Sequence, residues 1–358
     1  MRKVIELLFI WISIIIIIVL AINEKKLTSR QKKLYLLIFI IFSSFLLGNN
    51  SVLVDTPLYL EKYASLGTTQ IMNYLTNNPF ENEFEWIYLL MVYFAKNLGM
   101  SFGMFLSFYI MIPQLLLYYG FLNGKKNKLK IFSLYYVYFC FFPMGYRQMF
   151  SDSFYLMTFL SSNFIICLIC YIISIFSHFS NLLVTLFPII KNNIILRLNI
   201  IQLLVIVIVF SFSIRQILIS FINILPNDNS IVFKLQYYMM YNTDIYSYQN
   251  SFHYLLHFIV NNYLPVAFII FIIKYRNKMK VNNLIAYKSV LLSICIYIFV
   301  FIVLNSYTTA SRIFLTFFIP IVLFVDKANL IKKMYILLIT NNFFITLYII
   351  FTYIGWNL

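Results

Sequence analysis

Apolar residues run along this chain in long blocks, separated by short polar breaks of two kinds, some crowded with Lys and Arg and others with Asn, Tyr, Ser and acids. Val4 to Ile22 has the length a helix needs to cross a bilayer core, about 20 residues. The break that follows, Glu24 to Lys33, carries Lys25, Lys26, Arg30, Lys32 and Lys33, and such a loop belongs on the cytoplasmic side. Leu34 to Leu47 returns outward to a polar segment, 48–85, that holds Asp55, Glu61, Glu81, Glu83 and Glu85. Trp86 to Leu98 is apolar but short. Lys125, Lys126, Lys128 and Lys130 mark the next loop as cytoplasmic, so only one crossing fits between Glu85 and Lys125. Met104 to Leu122 supplies it, and Trp86–Leu98 is expected to be re-entrant or interfacial, lined by protein or water.

The apolar run from Ile131 to Ile190 is punctuated by Arg147, by a turn at Ser161-Ser162-Asn163 and by Ser177-His178-Phe179-Ser180, before the positive loop Lys191 to Arg197. Even parity allows four short crossings or two crossings with re-entrant pieces, and both put Arg147 and His178 on the outer side. Leu198 to Ile214 leads to a second outer segment, 215–252. Tyr254–Ile273, Leu284–Leu304, Ile313–Val325 and Met334–Ile354 complete the alternation, with positive loops at Lys274–Lys280 and Lys327–Lys333. The expectation is an all-α polytopic integral membrane protein, a single transmembrane domain over 1–358 with about twelve transmembrane helices and re-entrant or interfacial segments. The start of the chain has the charge and apolarity of a signal peptide but no small-residue cleavage site, and reads as a retained first span.

Composition agrees. Of the 358 residues 62% are hydrophobic and 11% charged, too few charges for the surface of a soluble fold. The net charge of +16 resides in loops that set topology, so nucleic acid is not an expected partner. Cys140, Cys167, Cys170 and Cys295 all lie in apolar stretches, and the Cys167–Cys170 spacing lacks the second pair of a zinc site. His253 and His257 sit four apart without an acid on their face, and no metal site is expected. Nor does a phosphate-cradling GxxxxGK[ST] loop, a GxSxG elbow or an HExxH pair occur.

Orientation gathers the uncommon residues on one side: Asp55, Glu83, Glu85, Arg147, His178, Arg215 and Arg312. An Arg among membrane segments costs at least about 2.5 to 3.5 kcal/mol near the bilayer centre and calls for a functional reason. A guanidinium stays ionised, and its planar fork of N–H donors matches phosphate oxygens two at a time. Nearby carboxylates and a histidine suit acid–base work on a sugar hydroxyl. The Tyr-rich second outer segment, Tyr248 among its residues, offers rings for stacking on sugars.

In this order the motifs resemble those of EpsG-like and Wzy-type bacterial polysaccharide polymerases: Val54-Asp55-Thr56-Pro57-Leu58-Tyr59, Phe84-Glu85-Trp86-Ile87, Tyr146-Arg147-Gln148, Ser177-His178-Phe179-Ser180 and Ser311-Arg312. The sequence departs from the pattern in three places: no Arg-x-x-x-Gly precedes Asp55, Pro-Gly is absent after Glu85, and His178 follows Ser instead of Phe. The resemblance implies a multi-pass protein of the bacterial inner membrane with its active site facing the periplasm. It joins oligosaccharide repeat units carried on undecaprenyl pyrophosphate into O-antigen or a related polymer. It also implies Arg147, Arg312, Arg215 and Gln148 at the pyrophosphate, Glu85, Asp55 or His178 in acid–base work, and Tyr59, Tyr146 and Tyr248 at the sugars. No metal or cofactor is implied, since the arginines supply the positive charge; membrane lipid and a chain-length regulator protein are the further partners. Two rivals fit less well. A lipid-linked oligosaccharide flippase would spread charge along a cavity open to both faces, and an O-antigen ligase would carry a larger outer domain than 215–252.

Overall fold

The computed structural model describes residues 2–51, 56–76, 86–122, 127–140, 146–178, 200–222, 251–282, 284–306, 310–311, 314 and 330–354, and among these the regular structure is helical throughout. The chain divides into two compact units, Met1–Leu182 with Met334–Leu358, and Leu183–Lys333. The helices of the first unit are α1 (Arg2–Ile22), α2 (Ser29–Gly48), α3 (Thr56–Ser65), α4 (Thr68–Thr76), α5 (Trp86–Asn97), α6 (Phe102–Leu115, continued by a π turn Leu116–Phe121), α7 (Lys128–Phe139), α8 (Tyr146–Leu160) and α9 (Phe164–Ser177). Later come α10 (Ile200–Ile222), α11 (Ser251–Asn282), α12 (Leu284–Leu304) and α13 (Ile331–Ile349, continued by a π turn to Ile354), of which α13 from Met334 onward belongs to the first unit.

α1 is apolar all round, so its buried face emerges only in the fold: Leu7, Ile10, Ile14, Ile17 and Ala21 are 0–3% exposed and form one stripe at coiled-coil spacing. Leu8, Ile12 and Ile15 on its other faces are open, as lipid-facing residues are. The stripe packs on α7, the hub of the unit, whose residues from Ile131 to Cys140 are all buried. Polar contacts lock this packing: Ser13 to the Tyr136 hydroxyl at 2.8 Å, and Asn342 Nδ2 of α13 donating to the Val137 carbonyl at 2.7 Å.

α2 starts five residues earlier than its apolar run. Thr28 caps it, accepting from the Gln31 amide while the Gln31 side chain accepts from the Thr28 amide at 2.9 Å, a reciprocal cap that lets a run of cations occupy the first turn. At its far end α2 crosses α6 so closely that a Cβ on Gly48 would fall 2.7 Å from the Ser107 Cα. Gly103 and Ser107 give α6 the small-xxx-small face that such a crossing requires.

Among the described residues six helices are long and apolar enough to cross a membrane, where the sequence pattern suggested about twelve crossings. The difference has a physical source. α5, α7, α8 and α9 have 12, 12, 15 and 14 residues, and each is short of a span. Their apolarity serves burial against protein as well as lipid. α5, taken from sequence as re-entrant or interfacial, is about 18 Å long. Among its described residues the segment 48–85, expected on the outer side, contains two helices, α3 and α4. α10 continues through Arg215 to Ile222, so the expected outer segment 215–252 begins inside a helix; residues 223–250 lie outside the described set.

In the second unit α10 and α11 both pack on α12. Phe210 stacks on Phe299 at 6.4 Å, and Val205, Ile206, Val209 and Phe212 of α10 are exposed.

Candidate functional site

The site lies in the first unit, at the end of α2 remote from the basic loop. With 20 residues α2 is about 30 Å long, and the hydroxyl of Tyr146, first residue of α8, donates to the carbonyl of Leu47 at 3.4 Å. Arg147 therefore enters at the opposite end from Arg30 and Lys33.

Two tyrosines hold Arg147, and a third backs them. Its Nε donates to the Tyr59 hydroxyl of α3 at 2.9 Å. The guanidinium lies 5.5 Å from the Tyr59 ring centre and 6.0 Å from that of Tyr88 on α5, within range of attraction to the ring faces. Tyr59 also meets the rings of Tyr88 at 5.6 Å and Tyr146 at 6.0 Å. Thr56, directly after Asp55 in sequence, shares a 3.0 Å hydrogen bond with the Tyr146 hydroxyl. Behind this wall the aromatic layer continues from Tyr88 to Tyr109 and from Tyr109 to Phe150, which stack 4.5 Å apart. Burial raises the Tyr88 hydroxyl above the ordinary tyrosine range, while the Arg147 charge pulls the other way. Tyr88 stays neutral at physiological pH.

His178 arrives at the same end by hairpin geometry. α8 and α9 are antiparallel partners joined at Ser161–Asn163, where Asn163 Oδ1 accepts from the Ile165 amide at 2.9 Å and starts α9. Ser151 Oγ donates to the Ser174 carbonyl at 2.6 Å. Continued four residues along both strands of the hairpin, that register brings His178 level with Arg147. Trp86, the neighbour of Glu85 in sequence, stacks on Phe176 at 5.4 Å and ties α5 to the last turn of α9.

Of the residues singled out from sequence, Tyr59, Tyr146, Arg147 and His178 are thus gathered at one end of one unit. Tyr59 and Tyr146 are 3% and 7% exposed, Tyr59 against the guanidinium and Tyr146 against the Tyr59 ring. Gln148 turns into the core and is buried. Arg215 belongs to the second unit, where its Nη1 donates to the Ile302 carbonyl at 3.3 Å. Asp55, Glu85, Arg312 and Tyr248 lie outside the described residues.

One residue escaped the sequence reading. Asp152 follows Arg147 by five positions on α8, is fully buried, and lies within electrostatic reach of the Tyr135, Tyr138 and Tyr155 hydroxyls. The criterion that singles out Arg147, an ionisable group in an apolar run, applies equally to this carboxylate.

A chain whose described residues are folded into helices, several of membrane length, with an arginine held by tyrosines at one end of its first unit, is an integral membrane protein. Residues 33–357 match the EpsG family, nearly the whole chain, and the protein belongs to that family. Membership supports a polysaccharide polymerase-like role in polysaccharide biosynthesis at a membrane. No curated protein and no solved structure matches the chain.

Proposed function

We propose that this protein is an inner-membrane glycosyltransferase that polymerises oligosaccharide repeat units, carried on undecaprenyl pyrophosphate, into O-antigen or a related surface polysaccharide on the periplasmic side. The observation that carries the reading is the placement of Arg147. One guanidinium, its plane held by the Tyr59 hydroxyl and two tyrosine rings, stands where the motif-bearing elements α3, α5, α8 and the end of α9 meet.

In this reaction an acceptor hydroxyl attacks the anomeric carbon of the donor sugar. The new C–O bond forms as the bond to pyrophosphate breaks, and undecaprenyl pyrophosphate leaves with the bonding electrons. Negative charge grows on the departing oxygen, and a fixed cation beside it stabilises that charge more in the transition state than in the ground state. Arg147 fills this role. The proton lost by the acceptor goes to Glu85, Asp55 or His178. A dry aromatic surround strengthens the phosphate contact, because neither ring nor phenol screens charge as water does.

Arg147→Lys tests the assignment. Lysine keeps the charge but loses the planar fork and the Nε contact with Tyr59. In cells with a normal level of the protein, surface polymer should shift to one or a few repeat units, with polymerisation slowed on the order of 100-fold, as when one transition-state donor is removed. A wild-type length distribution would remove Arg147 from the mechanism.

A further inference from the structure

The opposite end of the first unit carries a second recognisable arrangement. A cavity of about 680 Å³ opens between the start of α2 and the π turn that continues α6, a volume in the range of small-molecule sites. On the α2 side it is lined by Arg30, Lys33, Leu34 and Leu37, spaced as successive residues on one helical face. On the other side stand Leu115, Leu116, Tyr119 and Gly120. The π turn sets Leu116, Tyr119 and Gly120 apart from the regular helix that ends at Leu115, two residues after Pro113. The Tyr119 hydroxyl donates to the Lys33 carbonyl at 2.6 Å and ties the two walls together. A Cβ on Gly120 would meet nothing within 4 Å, so the groove stays open there.

We propose that this groove binds one anionic phospholipid, with its phosphate between Arg30 and Lys33 and an acyl chain along Leu34, Leu37, Leu115 and Leu116. Three features select that occupant. Positive charge accumulates without an acid in the first turn of α2, which holds Arg30, Lys32 and Lys33 at the helix end that itself favours anions. The acid of the preceding loop, Glu24, is buried and accepts the Leu129 amide of α7 at 3.1 Å. Crowding of the cations shows on Lys128, whose ammonium is lowered first by burial and then by repulsion from Lys33 and Lys32. The cations continue into exposed leucines, Leu34 at 52% and Leu37 at 37%. A free phosphate would leave these uncovered, and an acyl chain covers them. The basic loop marks this end as cytoplasmic, the side where basic clusters meet anionic headgroups.

The test uses the full chain in phosphatidylcholine nanodiscs, exchanged against equal phosphatidylglycerol and phosphatidylcholine, with retained lipid counted by native mass spectrometry. Wild type should retain phosphatidylglycerol. The double variant Arg30→Gln with Lys33→Gln should lower retention by at least roughly fivefold, the loss expected from two headgroup cations. Lys25→Gln with Lys26→Gln, an equal charge change in the same loop, should alter it by less than about twofold. Gly120→Trp fills the groove without touching a charge and should also expel the lipid, with the melting temperature in phosphatidylcholine unchanged. Equal retention of the two lipids by wild type, or equal effects of the two double variants, overturns the proposal. So does displacement of phosphatidylglycerol by an equimolar polyprenyl phosphate, which would make the groove a substrate site.

Discussion

The two ends of α2 handle positive charge in opposite ways. At the Leu47 end a single guanidinium is half-buried and held by a phenol and two ring faces, so its position is fixed by packing. At the Thr28 end Arg30 and Lys33 are exposed and Lys32 is half-buried, and Glu24, the acid of the preceding turn, is buried. Fixed geometry serves a reaction, in which a cation must meet charge at one place. Numbers and exposure serve attraction to a surface, which tolerates side-chain motion but fades with salt. The same residue type is used for precision in one place and for field in the other.

The largest effect on this contrast should come from the crossing that holds the outer end together. Gly48→Val drives two methyl groups into the Ser107 backbone and should cost about 3 kcal/mol or more, at the upper end for overpacking. The measurement is the yield of folded protein in detergent; normal yield would show that α2 and α6 can separate there. Next comes Glu24. Glu24→Ala removes the acceptor of the Leu129 amide and should cost about 1 to 3 kcal/mol, whereas Glu24→Gln keeps an acceptor and should cost less. Equal melting temperatures for the two variants would show that the carboxylate does not cap α7.

A smaller change is expected from Tyr59→Phe, which removes the 2.9 Å hydrogen bond to Arg147 but keeps the ring. Its donor is charged, and such a bond is worth about 1.5 to 3 kcal/mol before water replaces the phenol at the half-buried guanidinium, so polymerisation should slow by roughly tenfold. A loss as large as that of Arg147→Lys would mean the phenol itself takes part in the chemistry. The smallest effect concerns Lys128, whose lowered value favours the neutral amine in the fold. The penalty of its charge is present in full below the folded value and fades as pH rises through it. As pH rises toward the ordinary lysine value of 10.5, the wild-type melting temperature should therefore rise slightly relative to Lys128→Met. Parallel curves for the two proteins would count against the repulsion.

Much of this arrangement can be read from the order of residues. The basic stretch Lys25 to Lys33 marks one end of α2, and the Thr28-x-x-Gln31 cap placing the start of that helix is itself a sequence signal. Hydropathy alone misleads where apolar helices pack on protein. α7 is buried on every face and reads no differently from a lipid-facing span such as α10. The run past Arg215 to Ile222 was hidden because a charge looks like a boundary when its partner, the Ile302 carbonyl, is 87 residues away. Asp152 went unnoticed beside Arg147 because an acid between two serines reads as a polar turn until α8 is seen continuous through it.

The contact between Arg147 and Tyr59 has one further consequence. A diphosphate that takes the Nε proton must first displace a phenol from it, so arrival is a handover and not the filling of a void. When the spent carrier departs, the same phenol is at hand to reclaim the cation. In the proposed reaction the short helix α3 that bears it would act as a returning latch, resetting the site after every round of chain growth.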